Sequence, residues 1–192
     1  MPLDIVIVYG SVRSARQGIK LARFLVRQVE ARGHAAHLLD PLELRLPLLD
    51  RMYKEYPDGE APAPLEEVAA YLRRADGFLI VSGEYNHGIP PALKNLLDHF
   101  LEEWFWRPSA IACYSAGTFG GVRAAVQLRA TLAELGMPSI PSLYPVAKIG
   151  AQFDEDGTAR EKAHERRVGR FLDELEWYAN ALRAARSGGV PY

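Results

Sequence analysis

The chain of 192 residues is long enough for one domain with a sizeable core, and its 48% hydrophobic and 24% charged content is that of an ordinary soluble globular protein. A formal net charge of −1 gives no electrostatic case for nucleic acid or an anionic membrane surface, and no apolar run approaches the ~20 residues of a bilayer-spanning helix. The single Cys113 excludes an intrachain disulfide and any multi-cysteine metal site, no basic and then apolar leader opens the chain, and a cytoplasmic protein is the expectation.

Asp4 to Tyr9 is a short apolar strand, followed by a loop from Gly10 to Gly18. A helix then carries Ile19, Ala22, Leu25, Val26 and Val29 on one face and ends near Gly33. His34 to Leu39 reads as the second strand. Residues 40–63 contain Pro41, Pro47, Pro57 and Pro62 and read as a long loop, of the kind that is usually functional or mobile. Leu65, Val68, Ala69 and Leu72 mark the second helix, and Phe78 to Val81 the third strand, apolar throughout as a strand buried on both faces should be. After a polar turn and Pro90-Pro91, a third helix presents Leu93, Leu96, Leu97, Phe100, Leu101 and Trp104 at helical spacing. Ser109 to Ser115 is the fourth strand, and a Gly-rich loop leads into a helix with Val122, Ala125, Leu128, Leu132 and Leu135 inward, stopped at Gly136. Ser139 to Leu143 is a short fifth strand set between Pro138 and a loop over 144–158, with Pro141 inside it. The last helix, over 159–184, buries Val168, Phe171, Leu172, Leu175, Tyr178 and Leu182, and 185–192 is a frayed tail. Alternating strands and helices make the class α/β with a parallel sheet covered on both faces, in one domain over 1–192 without repeats.

Three of the loops follow strands and therefore share the carboxyl edge of the sheet, where open α/β folds bind ligands. The first joins Ser11, Ser14, Arg13 and Arg16 to a helix N-terminus, the parts of a phosphate site, although a solvated helix cap uses the same residues. It contains neither Gly-x-Gly-x-x-Gly nor Gly-Lys-Ser/Thr, so neither a dinucleotide fold nor a P-loop is supported. The second, Gly83 to Gly88, offers backbone amides with the side chains of Glu84, Tyr85, Asn86 and His87, which suits a flat ligand with a polar edge better than a simple anion. His87 either donates a proton or caps a carbonyl. The third, Ala116 to Gly121, either lets backbone approach a ligand closely or is a plain tight turn. Asp154-Glu155-Asp156-Gly157-Thr158 lacks the spacing of a calcium loop and reads as a turn, so no metal site is expected. Cys113 sits mid-strand, where a thiol is inert packing, and no Gly-x-Ser-x-Gly elbow is present. Trp104-Phe105-Trp106 is more than one helix face buries in a monomer; a subunit contact through the 93–106 helix, in a homodimer or homotetramer, is the expectation.

Taken together, Gly10-Ser11-x-Arg13, the long stretch Glu84-Tyr85-Asn86-x-Gly88-x-Pro90-x-x-Leu93-Lys94-Asn95-x-x-Asp98 and the loop Gly117 to Gly121 resemble the NADPH-dependent FMN reductase family, and within it the small quinone- and azo-reducing members. The resemblance runs from about residue 4 to 184 and implies a flavodoxin-like three-layer sandwich with a five-stranded parallel sheet. It also implies a noncovalent FMN with NADPH or NADH as co-substrate, hydride passing through the flavin to quinones, azo compounds or free flavin, and no catalytic side chain. The FMN phosphate would lie on Ser11, Arg13, Arg16, Gln17 and Gly18. The ring edge would lie against Glu84, Tyr85, Asn86, His87 and Gly88, and against Ser115, Gly117, Thr118, Phe119, Gly120 and Gly121. Many members have Pro where this chain has Gly83, and Ser-x-Asn where Arg16-Gln17-Gly18 stands, which makes Arg16 the substitute for one hydroxyl contact. Within the second loop, Glu84 would hold neighbouring amides, Asn86 brace the turn and Tyr85 pack near the ring or the coenzyme's approach; the alternative is a core aromatic at Tyr85 and a solvated charge at Glu84. The acceptor would be chosen by residues 40–63 and 144–153 and a neighbouring subunit. The alternatives are a flavin-loaded redox-sensing or electron-carrier module acting through a protein partner, and a scaffold that has lost its flavin.

Overall fold

Aliphatic runs become five parallel strands in the computed structural model, which describes residues 1–192: β1 Asp4–Tyr9, β2 Ala35–Leu39, β3 Gly77–Ser82, β4 Ser109–Tyr114 and β5 Ser139–Val146. Between and after them lie α1 Gly18–Ala31, α2 Pro41–Leu44, α3 Ala63–Arg74, α4 Pro91–Asp98, α5 Val122–Glu134 and α6 Ala163–Ser187. Side chains alternate across the sheet: Ile5, Ile7 and Tyr9 of β1 face α1 and α6, while Val6 and Val8 face α3, α4 and α5. The two clusters hold 25 and 24 buried residues, one on each face of the sheet, and every residue of the central strands β3 and β4 is buried. That is why these strands read as continuous apolar runs.

The spatial order is β2-β1-β3-β4-β5. The chain leaves β1 toward one side of the sheet and β3 toward the other, so the loops after these neighbouring strands diverge and open a crevice between them. This is the flavodoxin-like arrangement, and open α/β sheets bind ligands in a crevice of this kind.

Several expected boundaries move. β5 continues to Val146, past the expected end at Leu143, because it is an edge strand and its register against β4 shifts between Ser109 and Ile111, which accommodates Pro141 on the exposed side. Residues 40–63 are not free coil. Asp40 caps α2 by accepting from the Leu42 amide at 3.0 Å, and Asn95 of α4 holds the next stretch, accepting from Leu49 N (2.9 Å) and donating to Pro47 O (2.8 Å). α6 runs to Ser187 because Arg183 and Arg186 reach the buried Asp76 carboxylate at 3.2 and 3.1 Å, and Arg186 also donates to the Trp106 carbonyl.

The expected 93–106 helix is corrected. α4 stops at Asp98, and a 3₁₀ turn over Glu102–Trp104 follows. Trp104 is fully buried within the subunit, its ring 4.9 Å from Phe78 and 6.3 Å from Phe100, its indole N–H donating to Leu97 O at 3.1 Å. It is a core residue and not a subunit contact. Phe105 and Trp106 are half-buried, with Tyr192 of the chain's end against both rings.

Candidate functional site

The loop after β1 begins where the Gly10 amide donates to Val81 O of β3 (3.1 Å) and ends at Gln17, the residue before α1. The backbone amides of Ser11, Val12, Ser14, Ala15 and Gln17 have no partner in the chain. Arg13 is exposed and its guanidinium is bonded to no carboxylate or carbonyl. Free amides at the start of a 14-residue helix, with an uncompensated guanidinium beside them, make an anion cradle. Arg16 behaves differently. Its guanidinium pairs with Asp40, donates to Ser11 O at 3.2 Å and lies over the Tyr9 ring, so it braces the loop from within and its charge is already compensated.

Gly18 opens α1, and a Cβ there would lie 2.1 Å from the Tyr114 ring. Its role is to let the phenol of β4 pack on the helix start. Ser11 is buried, and its hydroxyl lies 3.0 Å from Tyr85 Oη, which ties the first loop to the second.

The second loop is a two-residue hairpin. Tyr85 and Gly88 exchange backbone hydrogen bonds of 3.1 and 2.9 Å, and Asn86 and His87 both have positive φ, 51° and 67°, as a type I′ turn requires. Glu84 accepts from the Arg123 amide at 3.1 Å and pairs with its Nε at 3.2 Å, which ties the second loop to the start of α5. His87 is exposed: Arg123 bonds to its Nε2, and Gln127 donates to its carbonyl at 3.0 Å. The ring bonds no carbonyl, so the expected carbonyl cap is not what it makes.

In the third loop Ser115 Oγ accepts from the Gly120 amide at 2.9 Å and donates to Gly117 O. Gly121 has φ 81° and a Cβ there would lie 2.6 Å from Tyr114 O, so this turn tolerates only glycine. Thr118 and Phe119 are exposed, Phe119 under the Arg123 guanidinium at 4.4 Å.

The three loops enclose a cleft of about 250 Å³. Of the residues expected at the site, Ser11, Arg13, Arg16, Gln17, Glu84, Tyr85 and Ser115 line it. Gly18 packs against Tyr114 and is not part of the lining, and neither are Asn86, His87, Gly88, Gly117, Thr118, Phe119, Gly120 and Gly121. Tyr114, Ile149, Ala15, Gly83 and Ala116 complete the lining. Tyr114 and Ile149 read as core and loop in the sequence; the only signal for Tyr114 was its place as the last residue before Ser115. The phenols of Tyr9 and Tyr114, 3.4 Å apart, are both pushed up by burial and are neutral hydrogen-bonding groups. Cys113 is buried and its thiol is pushed up to about 12 by burial, so it is no nucleophile. No cluster of three His, Cys, Asp or Glu side chains is placed to hold a metal ion. The arrangement can therefore bind and orient, holding an anion at one end and a polar edge at the other.

A quinone reductase of Pseudomonas putida is 30% identical over 173 residues, covering 83% of this chain and 86% of that protein. A 2-hydroxy-1,4-benzoquinone reductase of Burkholderia sp is 28% identical over 197 residues, covering 97% and 100%. Among solved structures, the flavoenzyme NAD(P)H:(acceptor) oxidoreductase FerB from Paracoccus denitrificans has a TM-score of 0.71 at 22% identity, covering 95% of this chain and 98% of that one, a likeness of fold. Residues 3–152, a span that contains all three loops and Ile149, match the NADPH-dependent FMN reductase family. The chain belongs to that family and is an oxidoreductase whose redox pair is FMN and NAD(P)H.

Proposed function

We propose that the protein holds FMN noncovalently in the cleft between the ends of β1 and β3 and reduces a quinone at the expense of NADPH or NADH. The observation that carries the cofactor's placement is the set of five unpartnered amides between Ser11 and Gln17, in the same loop as the unpaired Arg13. Five free donors and one free charge fit a dianionic phosphate ester, and the neighbouring slot between Glu84-Tyr85 and Ser115-Ala116 fits a flat body with a polar edge. When bound, FMN supplies the hydride transfer between coenzyme and acceptor.

The protein's own part is positional. Arg13 and the loop amides anchor the phosphate; Ser11 contributes its amide, because its hydroxyl serves Tyr85. Glu84, fixed by Arg123, holds the second loop against α5. Tyr114 and Ile149, both buried, give the cleft apolar lining against which the ring would pack. A quinone acceptor follows from the names of the two relatives above. A homodimer or homotetramer belongs to the same reading, although of the expected Trp104-Phe105-Trp106 contact only the half-buried Phe105 and Trp106 remain once Trp104 is assigned to the core. So does a cytoplasmic location, where nicotinamide coenzymes are abundant.

The test is spectroscopic first and kinetic second. Protein loaded with FMN and freed of excess should keep a flavin absorption band and oxidise NADPH or NADH rapidly when 1,4-benzoquinone is added. Failure to retain flavin would overturn the cleft assignment. Retained flavin without turnover on any quinone would favour the electron-carrier alternative.

A further inference from the structure

The turn at Asn86-His87 needs positive φ at both central residues, and glycine is the residue that takes the second such position without cost. Here a histidine occupies it at φ 67°. A side-chain-bearing residue persists in that region only where surrounding contacts over-determine it. The contacts come from one place, the first turns of α5. Gln127 Nε2 donates to the His87 carbonyl at 3.0 Å, and Arg123 bonds to His87 Nε2. The same guanidinium pairs with Glu84, the residue where the loop leaves the cleft, and stacks over Phe119 of the third loop. Arg123 therefore holds the second loop just before its turn and at the turn's second central residue, and it covers Phe119 of the third loop.

We propose that Arg123 and Gln127 are positioning residues for the flavin site: they hold the Asn86–His87 turn in its left-handed conformation and so set the ring-side edge of the cleft, without touching the cofactor. This rests on the FMN reading above. Neither residue lines the cleft, and the Asn86 and His87 amides have no partner in the chain, so the turn presents free donors that would be misplaced if it relaxed.

The experiment is a suppressor cycle read by FMN titration. Arg123→Lys keeps a cation beside Glu84 but cannot fork to Glu84 and His87 together; Gln127→Ala removes the carbonyl's donor. Combined, they should weaken FMN binding by about 10-fold or more, two hydrogen bonds' worth, with an apo melting temperature close to wild type. His87→Gly creates an Asn-Gly pair, which adopts the type I′ turn by itself. In that background the same two substitutions should cost less than about 2-fold, as expected if they act only through the turn. Equal losses in both backgrounds, or none in either, would overturn the proposal alone. Wild-type protein that binds no FMN would overturn this proposal together with the function it rests on. A loss that tracks the apo melting temperature in every variant would reduce both residues to structural ones and overturn the positioning role.

Discussion

Arg13 and Arg16 stand three residues apart in one loop and do opposite things. Arg13 is free, so Arg13→Ala should leave apo stability unchanged and weaken FMN binding by about 10- to 150-fold, the worth of a charge-assisted hydrogen bond of roughly 1.5–3 kcal/mol. Arg16 is 13% exposed in its side chain and its partner Asp40 only 3%. Arg16→Ala strands that carboxylate and should lower apo stability by about 3–5 kcal/mol, softened where Leu42 N still bonds it. Urea melts of the apo proteins and FMN titrations on the same preparations check both, and the reverse pattern would make Arg16 the anchor. Which arginine is free was not legible in the sequence. Asp40 lies 24 residues from Arg16 and meets it only because β2 runs beside β1.

At the scale of elements, the stretch after Pro91 shows what periodicity can and cannot say. Leu93, Leu96 and Leu97 lie on the buried face of α4, as their spacing requires. Phe100 and Trp104 continue the spacing but not the helix: the chain breaks after Asp98, and the His99 carbonyl accepts from Tyr53 N at 2.8 Å instead of from a helical amide. A broken segment that keeps its apolar residues toward the same core carries the same pattern as a longer helix. Trp104→Ala should therefore cost about 3–5 kcal/mol of stability by opening a cavity beside Phe78 and Phe100. The folded fraction should sediment as wild type does. A change of oligomeric state without loss of stability would restore the subunit-contact reading.

For the whole molecule, one buried histidine links the second half of the chain to the cleft lining. His164 of α6 bonds through Nδ1 to the Tyr144 hydroxyl of β5 at 2.8 Å and through Nε2 to Gln152 Oε1 at 3.0 Å, next to the turn that supplies Ile149. Burial, and then the nearby charge of Arg167, hold its pKa below the ordinary 6.5. The neutral ring is the form the fold prefers, so its contribution is complete above pH 6.5 and is lost as the pH falls below that value toward the folded pKa. Urea midpoints at about pH 7.5 and about pH 5.5 should fall more for wild type than for His164→Gln, the span over which histidine titrates. Equal falls would assign the pH dependence to other groups.

The alternating strands and helices, the buried parallel sheet and the gathering of three loops at one edge are all readable from the amino acids in order, because burial periodicity and turn residues are local signals. The family is readable as well, through the long motif from Glu84 to Asp98, whose Asn95 the fold uses to hold residues 47–49 and whose Glu84 it uses to hold α5. The folded chain alone shows that Tyr114 and Ile149 line the cleft, that Gly18 makes room for Tyr114, that Phe119 lies under Arg123, and that Arg123 and Gln127 bond the Asn86–His87 turn. Each is a choice of partner between residues far apart in the chain. Such choices depend on which strands neighbour one another and how helices pack across them, and no short window of sequence carries that information.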